Sequence, residues 1–211
     1  MMNISKKIFL LVTALSLNYN LFSQNIEVFA NGGYQFKDKL KGTDGYIQFD
    51  GGATYGLAVD FISAGKFELE LNYQGVQNGY SVNDYYYSAY GNDISQNFFM
   101  MAGLFDFKKS DKLVAYASIG LGACWFNVKE ATGFSIWRFS TSFGAGIKYY
   151  ANDKIGFRLQ TQLMAPIMKT NSSMYGESFG LKQNSALLQL AITAGIVYRI
   201  PMSGEVSEPE E

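Results

Sequence analysis

Between residues 26 and 200 the chain alternates, position by position, between apolar side chains and polar or very small ones. The last segment is the clearest. Leu188, Leu190, Ile192, Ala194, Ile196, Tyr198 and Ile200 share one face, and Gln189, Ala191, Thr193, Gly195 and Arg199 share the other. A period of two belongs to a β-strand with a single apolar face. Many such strands follow one another, and no helix is available to cover them. Their apolar faces must therefore meet in a dry sandwich or turn outward to lipid around a polar lumen.

Eight strands are predicted, near 26–36, 52–63, 66–77, 96–108, 113–128, 139–150, 155–167 and 188–200. The third sets Phe67, Leu69, Leu71 and Tyr73 against Glu68, Glu70, Asn72 and Gln74. The fourth is apolar on both faces, which leaves its register open, with Asp106 pointed inward as the working choice. The connections alternate in length. Those at 63–66, 108–112 and 150–154 are short and carry Gly, Ser-Asp or Asn-Asp, as hairpin turns require. Those at 37–51, 78–95, 129–138 and 168–185 are long. Short turns at one end and long loops at the other are the mark of an outer-membrane barrel, and a soluble sandwich has no reason to sort its loops this way. A soluble lipocalin-like barrel would reverse the faces, with apolar residues inside. Aromatic residues at 16% and only 3 prolines suit strands with interfacial aromatic girdles. The predicted fold is all-β, an eight-stranded antiparallel up-and-down transmembrane β-barrel.

The charges on the polar faces carry more information. Glu27, Asp60, Glu68, Glu70, Lys148, Arg158 and Arg199 all fall near short turns or chain ends, so one half of the lumen, the periplasmic half, receives them all. Acids come from the first three strands and bases from the last three. In a ring of eight, the third strand lies opposite the seventh and the second opposite the sixth. Glu68 or Glu70 is expected to pair with Arg158, and Asp60 with Lys148, while closure brings Glu27 beside Arg199. Side chains fill a barrel this narrow, so the cluster reads as a structural ionic plug. The alternative is a gated path for protons or small ions. Higher up, Gly56, Gly120, Gly122, Ser142 and Gly144 point inward with Gln160, Gln162 and Gln189. They leave a wet pocket unless neighbours such as Tyr116, Phe126 and Met164 fill it. On the opposite face, Leu190→Arg is expected to cost roughly 2–4 kcal/mol at mid-bilayer, and Thr193→Ser almost nothing.

Composition excludes several functions. A net charge of −1 gives no basic field for nucleic acid. There is no histidine, the residue on which barrel acyltransferases, deacylases, phospholipases and omptin proteases rely, so no enzymatic activity is expected. Cys124 is the sole cysteine, reads as packing, and has no disulfide partner. No cluster has metal-ligand spacing, and no cofactor is implied. Lys6 and Lys7 ahead of the apolar run Ile8–Leu17 read as an export signal over residues 1–23, cut before Gln24. The barrel then occupies 24–200, and an acidic periplasmic tail 201–211. In the second long loop, Tyr85, Tyr86, Tyr87 and Tyr90 are a candidate contact surface for an extracellular ligand, or else part of the aromatic girdle. Trp125 and Trp137 suit that girdle as well.

The ELELNY third strand, the LVAYASIGLGACWF fifth strand and the ITAGIVYRI ending together resemble the small OmpA/OmpX-like outer-membrane β-barrel family, in particular its Bacteroidetes members. The resemblance spans roughly residues 24–200. It implies a monomeric barrel in the outer membrane of a bacterial cell, surrounded by outer-membrane lipid and inserted by the outer-membrane assembly machinery, which reads the last strand. This chain ends that strand at Ile200 where the family has Phe. Tethering through the peptidoglycan-binding domain of full-length OmpA proteins is not expected. Family roles are structural, adhesive or resistance-related. The expectation is a non-enzymatic barrel acting through its long loops, with a narrow channel or small-ligand-binding barrel as the alternative.

Overall fold

A computed structural model describes residues 25–41, 45–62, 67–84, 88–110, 112–128, 135–168 and 185–201. Residues 1–23, expected to be an export signal, and, past Pro201, the expected acidic tail lie outside them. The strands are β1 (Asn25–Gln35), β2 (Asp38–Lys41), β3 (Gly45–Phe49), β4 (Gly52–Ile62), β5 (Phe67–Asp84), β6 (Ser88–Lys109), β7 (Leu113–Val128), β8 (Ser135–Tyr150), β9 (Ile155–Met168), β10 (Ser185–Ala186) and β11 (Gln189–Pro201). Eight of them form the wall of a closed antiparallel transmembrane barrel, in the order β1, β4, β5, β6, β7, β8, β9, β11 and back to β1. Closure leaves no wall strand with an unpaired edge, the condition lipid imposes on a sheet.

The register sets the tilt. Across the ladders, Glu27 faces Asp60, then Glu70, Ala102, Gly120, Ser142, Met164 and Gln189. The Phe36 N–H donates to the Leu190 carbonyl at 2.8 Å, which extends the β1–β11 ladder and puts Gln189 beside Lys37. One circuit therefore climbs about ten residues, a stagger that tilts the strands by roughly 40°.

The faces are inverted relative to a soluble protein. Lys148 and Arg158 are 0% and 1% exposed, whereas Ile196 and Phe143 are 55% and 54% exposed. The same parity holds on every wall strand. On β6 the choice left open by the sequence resolves with Gln96, Phe98, Met100, Ala102, Leu104 and Asp106 inward and Phe99, Met101 and Phe105 outward. The ladder shifts register between Asp106 and Lys108, and Phe107 keeps the outward parity at 73% exposed.

Two of the expected long loops are strand for much of their length. Residues 37–51 contain the β2–β3 hairpin, whose β3 pairs with β5 above the end of β4. Its Leu40, Ile47 and Phe49 turn inward and are buried. Residues 78–95 are mostly a continuation of β5 and β6, which stay paired up to Asn83 and Ser88 past a bulge near Asn78–Tyr80. Polar composition suggested a loop there, but Asn78, Tyr80 and Ile94 keep the inward parity and are buried, so the ladder runs on. Tyr90 accordingly sits in β6 opposite Ser81, while Tyr85, Tyr86 and Tyr87 lie outside the described residues. The third connection shortens because β8 starts at Ser135. Most of the fourth, 169–184, lies outside the described residues.

These hairpins fill the upper lumen. Leu40, Ile47, Phe49, Tyr80, Ile94, Phe98, Phe126, Met164 and Leu187 form one buried apolar cluster with Cys124 among them. Phe49 and Phe126 meet at 6.1 Å between ring centres. Phe126 and Met164 thus fill space above the inward glycines, but Tyr116 lies lower, with the ionic side chains. The glycines leave little of the room expected of them. A Cβ on Gly122 would run into the backbone of Phe99 and Met100, so the strands themselves close in there.

The stagger also corrects the lipid-face prediction. It lifts Leu190 toward the loop end of the apolar belt and brings Ile192 nearer its middle. Ile192→Arg is therefore expected to cost about 2–4 kcal/mol, Leu190→Arg less, and inward Thr193→Ser close to nothing, measured by reversible unfolding from lipid vesicles.

Candidate functional site

The seven charged residues singled out in the sequence converge in the lumen at the end that bears the short turns. Parity points each inward, and the stagger brings strands distant in sequence to one level. Lys148, on β8, sits at the centre. Its ammonium lies 3.0 Å from Glu27 Oε2, 2.9 Å from Asp60 Oδ2 and 2.5 Å from Glu68 Oε2. These three carboxylates come within 4.8 Å of one another, a spacing that would suit a metal ion. The Lys148 ammonium takes the central position instead, as a tethered cation.

Arg158, on β9, is the second hub. Its Nη1 lies 3.1 Å from Asp60 Oδ2 and its Nη2 2.6 Å from Glu70 Oε2. Its Nε donates to Tyr116 Oη at 2.5 Å. The guanidinium stands 4.6 Å from the Phe29 ring centre and 4.7 Å from that of Tyr116, so two aromatic faces clamp it. Asp60 Oδ2 joins the two hubs. At the rim, Arg199 is 28% exposed, reaches Glu27 Oε1 at 2.8 Å and lies 4.2 Å from the Tyr150 ring centre. Tyr150 Oη donates to the same Glu27 oxygen at 2.7 Å.

Four carboxylates therefore face three cations, and every one of them has at least one ion pair. Glu70 is the partner of Arg158, Asp60 reaches Lys148, and Glu27 reaches Arg199. Glu68 goes to Lys148 and not to Arg158, because it sits two residues nearer the turn, level with the lysine. Glu27 also belongs to Lys148, so the network is a pair of hubs and not a row of separate pairs.

Reasoning from charge alone passes over Tyr116, Tyr150, Phe29, Asn72 and Gln160. Tyr116 Oη donates to Gln160 Oε1 at 3.0 Å, and Asn72 Nδ2 to Glu70 Oε1 at 3.2 Å. All share the inward parity of a charged neighbour, which was the available signal. Gly146 makes room for Tyr116, since any Cβ there would strike the phenol. Arrays of this kind neutralise and hold one another. No nucleophile–base pair is apparent among the described cage residues, and hydrogen-bonding capacity is directed inward, away from solvent.

Between the cage and the apolar cluster lies a third layer. Gln162 and Thr193 there, and Gln35 and Gln189 just above, carry side-chain polar atoms that are buried and unpartnered among the described residues.

No protein-family model matches the chain, and no curated protein matches its sequence. Its fold, however, matches solved barrels. Neisserial surface protein A aligns with a TM-score of 0.59 at 11% identity, covering 82% of this chain and 96% of that one. The outer membrane protein OprG from Pseudomonas aeruginosa aligns at 0.58 and 12% identity, covering 84% and 96%. Outer membrane protein AlkL, determined in DMPC lipid bilayers, aligns at 0.54 and 9%, covering 87% and 93%. At such identities the likeness establishes a shared small-barrel fold.

Proposed function

We propose that this chain is a monomeric outer-membrane barrel of the OmpA/OmpX-like type, without enzymatic activity, whose lumen is a structural plug and whose interactions are made by the hairpins beyond the barrel mouth. The observation that carries this reading is a lumen filled at two levels, by the ionic cage near the short turns and by the apolar cluster under the β2–β3 hairpin. A path for ions would have to displace both. The fold shared with outer-membrane proteins supports the location, the N-terminal export pattern agrees with it, and the sequence motifs support Bacteroidetes-type membership. Tyr90, in β6 of the extended β5–β6 hairpin, together with Tyr85, Tyr86 and Tyr87, which lie between β5 and β6 in sequence, is the contact surface this reading assigns.

A second reading has its own support. Gln162 between the cage and the apolar cluster, and Gln35 and Gln189 level with the cluster, carry unpartnered polar atoms that water or a small hydrogen-bonding solute would satisfy. Planar-bilayer recording separates the two. The plug reading expects no steady conductance from the wild-type chain. A steady conductance that Arg158→Ala widens would establish the channel instead. Replacing Tyr85, Tyr86, Tyr87 and Tyr90 together by Ser, which leaves Tyr80 and the β3–β5 ladder in place, is expected to abolish surface binding without unfolding the barrel.

A further inference from the structure

The outward apolar rows differ in length around the barrel. On β7, β8, β9 and β11 they run over Leu113–Trp125, Trp137–Tyr149, Ile155–Ile167 and Leu188–Ile200. At 3.3 Å per residue and a tilt of roughly 40°, each covers about 30 Å of the barrel axis. On β5 the row stops at Tyr73, about 15 Å above Phe67, and Gly75, exposed Gln77 and Gly79 follow. On β6 it stops at Phe99, beyond which Asn97 and Ser95 face outward.

The lower edges are level. Phe67 pairs with Phe105, Leu113 with Tyr149, and Ile155 with Tyr198. The missing height therefore lies wholly at the loop end, over β4–β6. A rigid tilt would submerge or raise the lower edge as well, so it does not account for the difference. Aromatic rings trace the step: Tyr55 to Tyr73 at 6.4 Å, Tyr73 to Phe99 at 5.2 Å, Phe99 to Trp137 at 5.7 Å and Trp137 to Trp125 at 5.8 Å. Such rings sit at the headgroup boundary. Here they climb from β4–β6 to β7–β8.

We propose that the headgroup layer of the loop-side leaflet dips by about 10–15 Å beside β4–β6, where lipid headgroups rest against Gln77, Asn97 and Ser95. The inference rests on the lipid-embedded reading above. Lipid is the occupant argued for because Gln77, Asn97 and Ser95 are uncharged, because Gly75 and Gly79 flank Gln77 with no large side chain, and because Asn97 and Ser95 direct hydrogen bonds at their own wall, to the Trp125 and Asn127 carbonyls. A protein partner would be expected to find anchoring side chains there. Bilayers thin around short apolar belts at modest cost.

With the stagger shared over eight strands, Gln77 and Leu188 stand within about one residue of the same height. This permits a matched test on the full chain in phosphatidylcholine vesicles, in a Cys124→Ala background. Nitroxides are placed singly at Gln77→Cys, Leu188→Cys and Leu71→Cys, with Ser95→Cys and Ile167→Cys as replacements should one pair fail to fold. Relaxation by oxygen and by a water-soluble nickel chelate is then compared. The expected result is that the Gln77 label meets the chelate, while the Leu188 and Leu71 labels meet oxygen. If Gln77 and Leu188 both report hydrocarbon, the belt is even and the proposal fails. A Gln77 label shielded from both reagents at high lipid dilution would mean a protein cover, which also overturns it. If Leu71 and Leu188 meet the chelate too, the barrel is not in lipid and the parent reading falls with the inference.

Discussion

Replacing Lys148 by Met is expected to destabilise the barrel by about 3–5 kcal/mol, among the largest losses of any single substitution in the described lumen. The ammonium stands among Glu27, Asp60 and Glu68 with no exposure of its own side chain. Removing it leaves three carboxylates facing one another where water cannot readily replace the cation. Glu27 keeps Arg199 and Tyr150, and Asp60 keeps Arg158, so Glu68 is the group left bare. Adding Glu68→Leu to Lys148→Met should therefore recover a substantial part of the loss. Lys148→Arg is not a conservative alternative, because a planar fork cannot address three acceptors placed around a point charge. Guanidinium unfolding from vesicles, followed by tryptophan fluorescence and by heat-modifiable gel migration, reads these differences. A loss under about 1 kcal/mol for Lys148→Met would mean that the hub carries little of the fold.

Arg158→Gln comes next, with an expected loss of about 3–5 kcal/mol, because Glu70 then keeps only the Asn72 amide and the Phe29 and Tyr116 rings lose the guanidinium between them. The double substitution Glu70→Gln, Arg158→Gln should be markedly less damaging than the sum of the two singles, with a coupling of about 0.5–3 kcal/mol. Asp60 limits the recovery, since it loses one of its two cations wherever Arg158 is replaced. Thermal melts in detergent that returned purely additive losses would show that the two residues sit close together without supporting one another.

Both predictions trace to features visible in the chain before folding. Alternation alone identified the outward rows on β4, β5, β7, β8, β9 and β11, because a closed wall in lipid enforces period two at every position. It was silent on β6, where FFMMAGLF is apolar on both faces. The lumen beside β6 is itself apolar, so Phe98, Met100 and Leu104 point inward without contrast to Phe99 and Met101. The cage membership of Glu27, Asp60, Glu68, Glu70, Lys148, Arg158 and Arg199 follows from parity and strand direction. That Glu68 turns to Lys148, and that Tyr116 and Tyr150 complete the network, did not follow, because such choices depend on distances of a few ångströms across the lumen. The hairpins escape a reading by composition for a related reason. Residues 37–51 and 78–95 look like loops by composition, yet their backbones extend the ladder and their few apolar side chains close the mouth.

What the amino-acid sequence determined by itself was the wall: which faces meet lipid, how the strands alternate in direction, and that acids and bases would gather at one end. Local period and turn chemistry suffice for that, since each strand answers to its own neighbours and to the solvent on either side. Only the tertiary structure decided the shear, and with it the level at which every inward side chain stands. Register between distant strands is a property of ring closure, and no single segment contains it. It is the stagger of about ten residues that brings Lys148 among three carboxylates, lowers Tyr116 into the cage and sets Gln77 level with Leu188.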